Sequence, residues 1–196
     1  YHRMHLQTGM LAVDPRTGHV KAWVGGINHT FFQFDHVNKD QAARQVGSTI
    51  KPFLYGLTVD LKGYSPCQKV WDQPTTISKG EGQFGLISDW TPKNAGGFTG
   101  DEITLTEALN RSLNSVSAYL MKDLKGTQPF RNFLADIGID TSGGRVPNQP
   151  SICLGTPNLS PFEMTGGYTV FANSGTYTEP IFIDRIEDKN GNVIYS

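Results

Sequence analysis

The chain has 196 residues, 37% hydrophobic and 18% charged, a composition that suits a globular domain with one sizeable core and excludes a disordered tract. Seventeen basic residues against eighteen acidic ones leave a formal net charge of −1, so no general field draws nucleic acid or an anionic membrane surface. No uninterrupted apolar run approaches the roughly 18 to 20 residues that cross a bilayer, and the only cysteines, Cys67 and Cys153, form neither a metal-ligand spacing nor a disulfide framework.

The opening Tyr1-His2-Arg3-Met4-His5 lacks the charged-then-apolar order of a signal peptide, and a start without Met reads as a cut from a longer protein. Met10 to Val13 and His19 to Val24 are β-rich runs around Asp14-Pro15-Arg16-Thr17-Gly18, a turn sequence, and predict a β-hairpin. Gly25-Gly26 ends its second strand. Arg44-Gln45-Val46-Gly47 then leads into a helix expected from about Ser48 to Leu61, with Pro52 near the end of its first turn.

Residues 62 to 103 are rich in Gly, Pro, Ser and Asp and read as irregular, with short strand-like pieces such as Thr75 to Ile77. Thr104-Leu105-Thr106-Glu107 has the capping-box pattern and predicts a helix to Asn110 or Arg111; Ser115 is expected to cap another that runs to about Leu124. Thr127 and Pro129 open a helix stopped by Gly138, and Ser160-Pro161-Phe162-Glu163 opens one that ends near Asn173-Ser174-Gly175. Ile181 to Ile186 and Val193 to Tyr195 flank Lys189-Asn190-Gly191-Asn192 as a second hairpin. Antiparallel hairpins with helices gathered between them make the fold class α+β, with residues 1–196 read as one domain portion: hairpin, nucleophile helix, helical region, second hairpin.

Ser48-Thr49-Ile50-Lys51 is the only S-x-x-K in the chain. One helical turn sets the lysine amine beside the serine hydroxyl, a weak nucleophile that needs a neighbouring base. Burial or positive potential can lower a lysine's pKa enough for that task, and a helix N-terminus also favours a developing oxyanion. By itself the motif is weak, with chance occurrences on the order of one in a chain of this length, and a solvated helix end with an exposed lysine is its ordinary alternative. Farther along, Ser112-Leu113-Asn114 falls between two predicted helices, where a hydroxyl can relay a proton and an amide can hold a peptide group; Ser and Asn also cap helix ends there. The five histidines show no tight ligand spacing. Asp14, Asp35, Glu81 and Asp101 read as loop acids and not as a carboxylate pair. Neither a P-loop nor a strand-coupled G-x-G-x-x-G occurs.

The stretch Arg44-Gln45-Val46-Gly47-Ser48-Thr49-Ile50-Lys51-Pro52-Phe53 resembles the nucleophile segment of penicillin-binding proteins, R-Q-P-G-S-x-x-K-P-F, with Val46 in place of Pro. Ser112-Leu113-Asn114 is similar to that family's second motif, S-x-N. Trp90-Thr91-Pro92-Lys93-Asn94, Leu154-Gly155, Ser160 to Met164 and Phe171 to Gly175 look like the class A, bifunctional members. The resemblance implies a penicillin-binding/serine β-lactamase-like fold, an antiparallel sheet with a helical subdomain. It implies a D,D-transpeptidase acting on D-Ala-D-Ala stem peptides of peptidoglycan, with Ser48 as nucleophile, Lys51 as base, Ser112 as proton relay and Asn114 as substrate anchor. β-Lactams would be covalent inhibitors. No metal, organic cofactor or nucleic acid is implied. The expected location is the periplasmic face, with a parent protein anchored in the inner membrane through a missing N-terminal anchor. The family's third motif, K-T-G or K-S-G, is absent: Met164-Thr165-Gly166, Lys125-Gly126-Thr127 and Lys79-Gly80-Glu81 do not supply it. In the family it follows the second hairpin, so the fold is expected to be incomplete at its C-terminal strands. A serine β-lactamase or β-lactam sensor, and a catalytically incomplete fragment acting as a scaffold, remain alternatives.

Overall fold

The computed structural model describes residues 5–195; Tyr1 to Met4, part of the opening read as lacking a signal peptide, and Ser196 lie outside the described residues. Among the described residues, eight short strands and five α-helices occur in the order β1 (Met10–Val13), β2 (Val20–Val24), β3 (Arg44–Gln45), α1 (Lys51–Lys62), β4 (Lys69–Trp71), β5 (Glu102–Thr104), α2 (Leu105–Asn110), α3 (Asn114–Asp123), α4 (Gln128–Asp136), β6 (Asn158–Leu159), α5 (Pro161–Ala172), β7 (Ile186–Glu187) and β8 (Val193–Tyr195). Among the described residues no sheet exceeds two strands. The pairs β1–β2, β4–β5 and β7–β8 are antiparallel. The α+β expectation holds. No helix among the described residues is long and apolar enough to cross a membrane.

The chain forms two compact units. The first comprises the chain up to Ala43, Ile137–Ile139 and everything from Leu159 onward. Its β1–β2 hairpin closes through Asp14, whose carboxylate accepts from the Arg16 N–H at 2.9 Å, as the turn chemistry predicts. Trp23 on β2 donates its indole N–H to Asp35 at 2.9 Å and packs its ring on Phe162 of α5 and on Phe182. The other Asp35 oxygen accepts from the Val37 and Asn38 N–H groups, so that acid ties a loop to a strand and serves structure. The α5 helix begins with the capping box read from the sequence: Ser160 Oγ accepts from Glu163 N, and the Glu163 carboxylate accepts from Ser160 N at 2.8 Å.

The second predicted hairpin is shorter than expected on its first side, because only Ile186–Glu187 pairs with β8. Ile181 bonds instead to Gly18 and Val20, as a single bridge beside β2. Between the two, 182–185 have no strand neighbour among the described residues, and β-propensity cannot make a strand without a ladder.

The second unit, Arg44–Asp136 with Asp140–Asn158, holds most of the buried apolar side chains. Ile50, Phe53 and Leu54 of the α1 segment, Val116, Leu120 and Met121 of α3, and Phe130 and Leu134 of α4 are all fully enclosed. Helix α1 is thereby gripped by the helices that follow it. The expected helix start at Ser48 is corrected: Gly47–Ile50 form a 3₁₀ turn and the α-helix opens at Lys51. Pro52 is the cause. It has no N–H to give the Ser48 carbonyl, so that carbonyl accepts from Lys51 N, three residues on. Residues 62–103 hold β4 and the start of β5, and the Ile77–Trp90 bridge marks the strand-like piece read there.

Ser160→Ala removes the hydroxyl half of the α5 capping box at a buried position while the Glu163 carboxylate keeps the backbone N–H, and should cost about 1–2 kcal/mol of stability in a urea titration. A loss within the scatter of surface substitutions would show that the helix start is held without the hydroxyl, by packing and the Glu163–backbone bond.

Candidate active site

The 3₁₀ turn that Pro52 imposes brings Ser48 and Lys51 into register, since side chains three apart eclipse at three residues per turn. Ser48 is exposed, whereas Lys51, three residues on, is 1% exposed. The segment is tied on its other side by two backbone hydrogen bonds. Val46 N donates to Pro157 O at 3.1 Å and Gly47 N to Gly155 O at 2.9 Å. Gly155 sits at φ 89°, and a Cβ there would fall inside the van der Waals radius of the Gly47 carbonyl. Only glycine lets the two chains approach so closely.

The Lys51 amine donates to three oxygens: Ser112 O at 2.6 Å, Asn114 Oδ1 at 2.7 Å and Ser112 Oγ at 3.1 Å. That uses all three hydrogens of an ammonium. Burial works the other way, disfavouring the charged form, and lowers the Lys51 pKa from 10.5 to about 8. The Cys153 thiol, close enough to couple with Lys51, is itself pushed up by burial and stays a thiol. Cys153 and the exposed Cys67 are both free.

Ser112 reaches the amine because of how α2 ends. Ser112 N bonds to Leu109 O and Leu113 N to Ala108 O, the paired bonds of a Schellman motif. Its left-handed position usually takes glycine, yet it holds Ser112 at φ 54°. The twist turns both the carbonyl and the hydroxyl of one residue onto Lys51. Such a conformation costs a non-glycine residue on the order of 1 kcal/mol, a strain that collects at functional positions.

Helix α3 follows at once, with a correction to the sequence reading. Ser115 is not its N-cap; the helix opens at Asn114 behind Leu113, which caps nothing. The acceptor comes from a distant loop: Asn94 Oδ1 takes the N–H groups of Asn114 at 2.7 Å and Ser115 at 3.0 Å. Ser115 lies inside the first turn, fully buried, and its hydroxyl donates to Asp72. Asn114 is fixed at both ends of its amide, Oδ1 on Lys51 and Nδ2 on Lys93 O at 2.8 Å.

The structure thus brings Lys51, Ser112 and Asn114 into direct contact, with Ser48 exposed one turn before the lysine. Asp72, Asn94 and Thr99 were not singled out as chemistry in the sequence. Asn94 entered only through Trp90-Thr91-Pro92-Lys93-Asn94, and Asp72 in Trp71-Asp72-Gln73-Pro74 looks like any turn acid. Nothing local distinguishes a fully buried carboxylate from a solvated one. Glu81, considered earlier among the acids, pairs with Lys122 at 3.0 Å instead.

The family model described as the penicillin binding protein transpeptidase domain matches residues 8–195. Penicillin-binding protein 1A of Pseudomonas aeruginosa is 33% identical over 189 residues, 96% of this chain and 22% of that protein. Its counterpart in Aquifex aeolicus is 35% identical over 192 residues, 96% of this chain and 24% of that protein. The chain therefore spans less than a quarter of the length of these relatives. Among solved structures, penicillin-binding protein 1A from Haemophilus influenzae superposes with a TM-score of 0.80 at 27% identity, over 96% of this chain and 27% of that one. PonA1 from Mycobacterium tuberculosis, in complex with penicillin V, gives a TM-score of 0.77 at 27% identity, over 96% of this chain and 50% of that one.

Replacing Ser112 separates strain from contact. Both Ser112→Gly and Ser112→Ala lose the hydroxyl, but only glycine accepts the positive φ freely, so the glycine variant should be more stable by about 1 kcal/mol in chemical denaturation. Equal stabilities would mean that the residue relaxes out of the left-handed conformation.

Proposed function

Since the chain belongs to the penicillin-binding protein transpeptidase domain family, we propose that it carries the acylation half-site of a serine D,D-transpeptidase acting on peptidoglycan stem peptides. The observation that carries this reading is the buried Lys51 amine held among Ser112 O, Ser112 Oγ and Asn114 Oδ1, one turn after an exposed Ser48.

The chemistry follows from counting donors. Ser112 O and Asn114 Oδ1 can only accept, and they are the two nearest partners of the amine. When Lys51 is neutral it has two hydrogens and one lone pair. Both hydrogens stay on these oxygens, and the lone pair is left for a hydroxyl. Two hydroxyls compete for it: Ser112 Oγ at 3.1 Å and Ser48, one turn earlier. In the proposed reaction Ser48 Oγ attacks the carbonyl of the penultimate D-Ala while its proton passes to Lys51. The lysine is then an ammonium with three hydrogens, the state that matches its three oxygen partners. It returns a proton through the Ser112 hydroxyl to the departing amine of the terminal D-Ala, and the C–N bond breaks. The ester on Ser48 is then taken by an amine of a neighbouring stem, which forms the cross-link; water in its place would give the carboxypeptidase outcome.

Asn114 is the proposed anchor for the substrate peptide. Its Nδ2 has two hydrogens, one of them spent on Lys93 O, and the second is available to a carbonyl. The Ser48 N–H, at the start of the 3₁₀ turn, points the helix end's positive potential at the developing oxyanion. β-Lactams fit the same reading as acylating inhibitors whose esters hydrolyse slowly. The relatives' role in penicillin binding supports an extracytoplasmic location, with membrane attachment of the longer protein as part of the proposal.

The test is covalent labelling of the encoded protein that carries this chain by a fluorescent penicillin, followed by peptide mapping. The adduct should sit on Ser48 and disappear in Ser48→Ala; labelling that survives this substitution would remove the assignment. The rate should also report Lys51. Below pH 8 the amine is mostly protonated and has no lone pair, so the acylation rate should rise about tenfold per pH unit up to pH 8 and level above it. A rate that is flat from pH 6 to 8 would exclude Lys51 as the base.

A further inference from the structure

We propose that Asp72 is a positioning residue of this site: its buried carboxylate, acting through Asn94 and Ser115, sets the start of α3 and so places the Asn114 amide on Lys51. The inference rests on the reading of Lys51 and Asn114 given above.

Asp72 follows β4 and is fully buried. Its backbone is pinned to the next strand's approach, with N donating to Asp101 O at 2.9 Å and O accepting from Gly100 N at 3.0 Å. The carboxylate accepts four hydrogen bonds. Oδ1 takes Ser115 Oγ and Asn94 Nδ2, both at 2.8 Å. Oδ2 takes Thr99 N and Thr99 Oγ1, both at 3.1 Å. Burial alone would raise its pKa, but the four donors outweigh it and hold the group below the ordinary carboxylate value. Every donor meets an anion, and the start of α3 adds the positive end of a ten-residue helix.

The consequence lies in Asn94. An amide side chain can be turned either way, but a carboxylate accepts and never donates, so Asp72 fixes Nδ2 toward itself. Oδ1 must then face α3, where it takes the Asn114 and Ser115 N–H groups. Helix α3 has no cap of its own. Its first turn is therefore held by a chain of contacts that ends on one buried charge, and Asn114 is the first residue of that turn. Turned over, Asn94 would present its NH₂ to two N–H groups, and the Asn114 side chain would lose the backbone that aims it at Lys51 and Lys93.

The hydrogen-bond polarity can be reversed as a unit. Asp72→Asn leaves the Thr99 N–H or the Asn94 amide facing a donor. Asn94→Asp sets two carboxylates against each other. The double substitution restores one acceptor, one donor and one charge to the pair. Two readouts are taken on the encoded protein, at a temperature where circular dichroism shows every variant folded. The first is the rate of Ser48 acylation by the fluorescent penicillin. Each single variant should be slower by about tenfold or more, with the double variant faster than either. The second is amide hydrogen exchange across 110–116, which needs no turnover. It should speed up by about tenfold in each single variant and recover in the double. If Asp72→Asn only lowers the melting temperature, with acylation and local exchange unchanged, the carboxylate is structural and the inference is overturned. Losses that simply add in the double variant overturn it too. Where the unsubstituted protein is not labelled at Ser48, the transpeptidase reading fails on its own, and the exchange measurement still decides whether Asp72 positions the loop.

Discussion

A lysine amine enclosed to 1% exposure has lost its water, and that loss must be made good or the charge abandoned. In this protein it is made good by three oxygens supplied by two residues, Ser112 and Asn114, more than sixty positions away in the chain. The compensation is partial, and the pKa settles near 8. An amine in that range can hold or release a proton near neutrality, which neither a solvated lysine nor a fully paired buried one can do. The remaining features of the site can be read as what it takes to keep those oxygens in place.

Three of these features depart from the ordinary rules of helix ends. The Ser48 segment enters α1 through a 3₁₀ turn because Pro52 denies the Ser48 carbonyl its usual partner. Helix α2 closes with a serine where glycine is the unstrained choice. Helix α3 opens without a cap of its own and borrows Asn94. Each departure would be unfavourable in an isolated helix. Together they converge on one amine, and the surrounding core, with Ile50, Phe53, Leu54, Val116 and Leu120 fully buried, holds the helices firmly enough to sustain the strain.

The same core explains why the site is wet on one side only. Ser48 and Ser112 are exposed while Lys51, Ser115 and Asp72 are not. Solvent can thus reach two hydroxyls, and the polar groups behind them stay in a low-dielectric interior where each hydrogen bond is stronger and each unpaired group more costly. Behind the two segments that carry Ser48 and Ser112 lies the buried Asp72–Asn94–Ser115 set, which no sequence motif announces.

Much was legible in the residues themselves. The Asp14 turn, the Ser160 capping box and the α2 start at Thr104 are set by chemistry within four or five positions, and they stand where the sequence puts them. The S-x-x-K spacing likewise fixes serine and lysine on one face of a turn, whatever surrounds them. The sequence could not show that Asp72 is buried, that Asn94 and not Ser115 caps α3, or that Ser112 takes a left-handed conformation. The burial of Asp72 and the cap from Asn94 join groups far apart along the chain, where no period or local propensity carries the information, and the left-handed Ser112 runs against its local propensity. A side chain's exposure, and with it the worth of its charge, exists only once distant segments have closed around it.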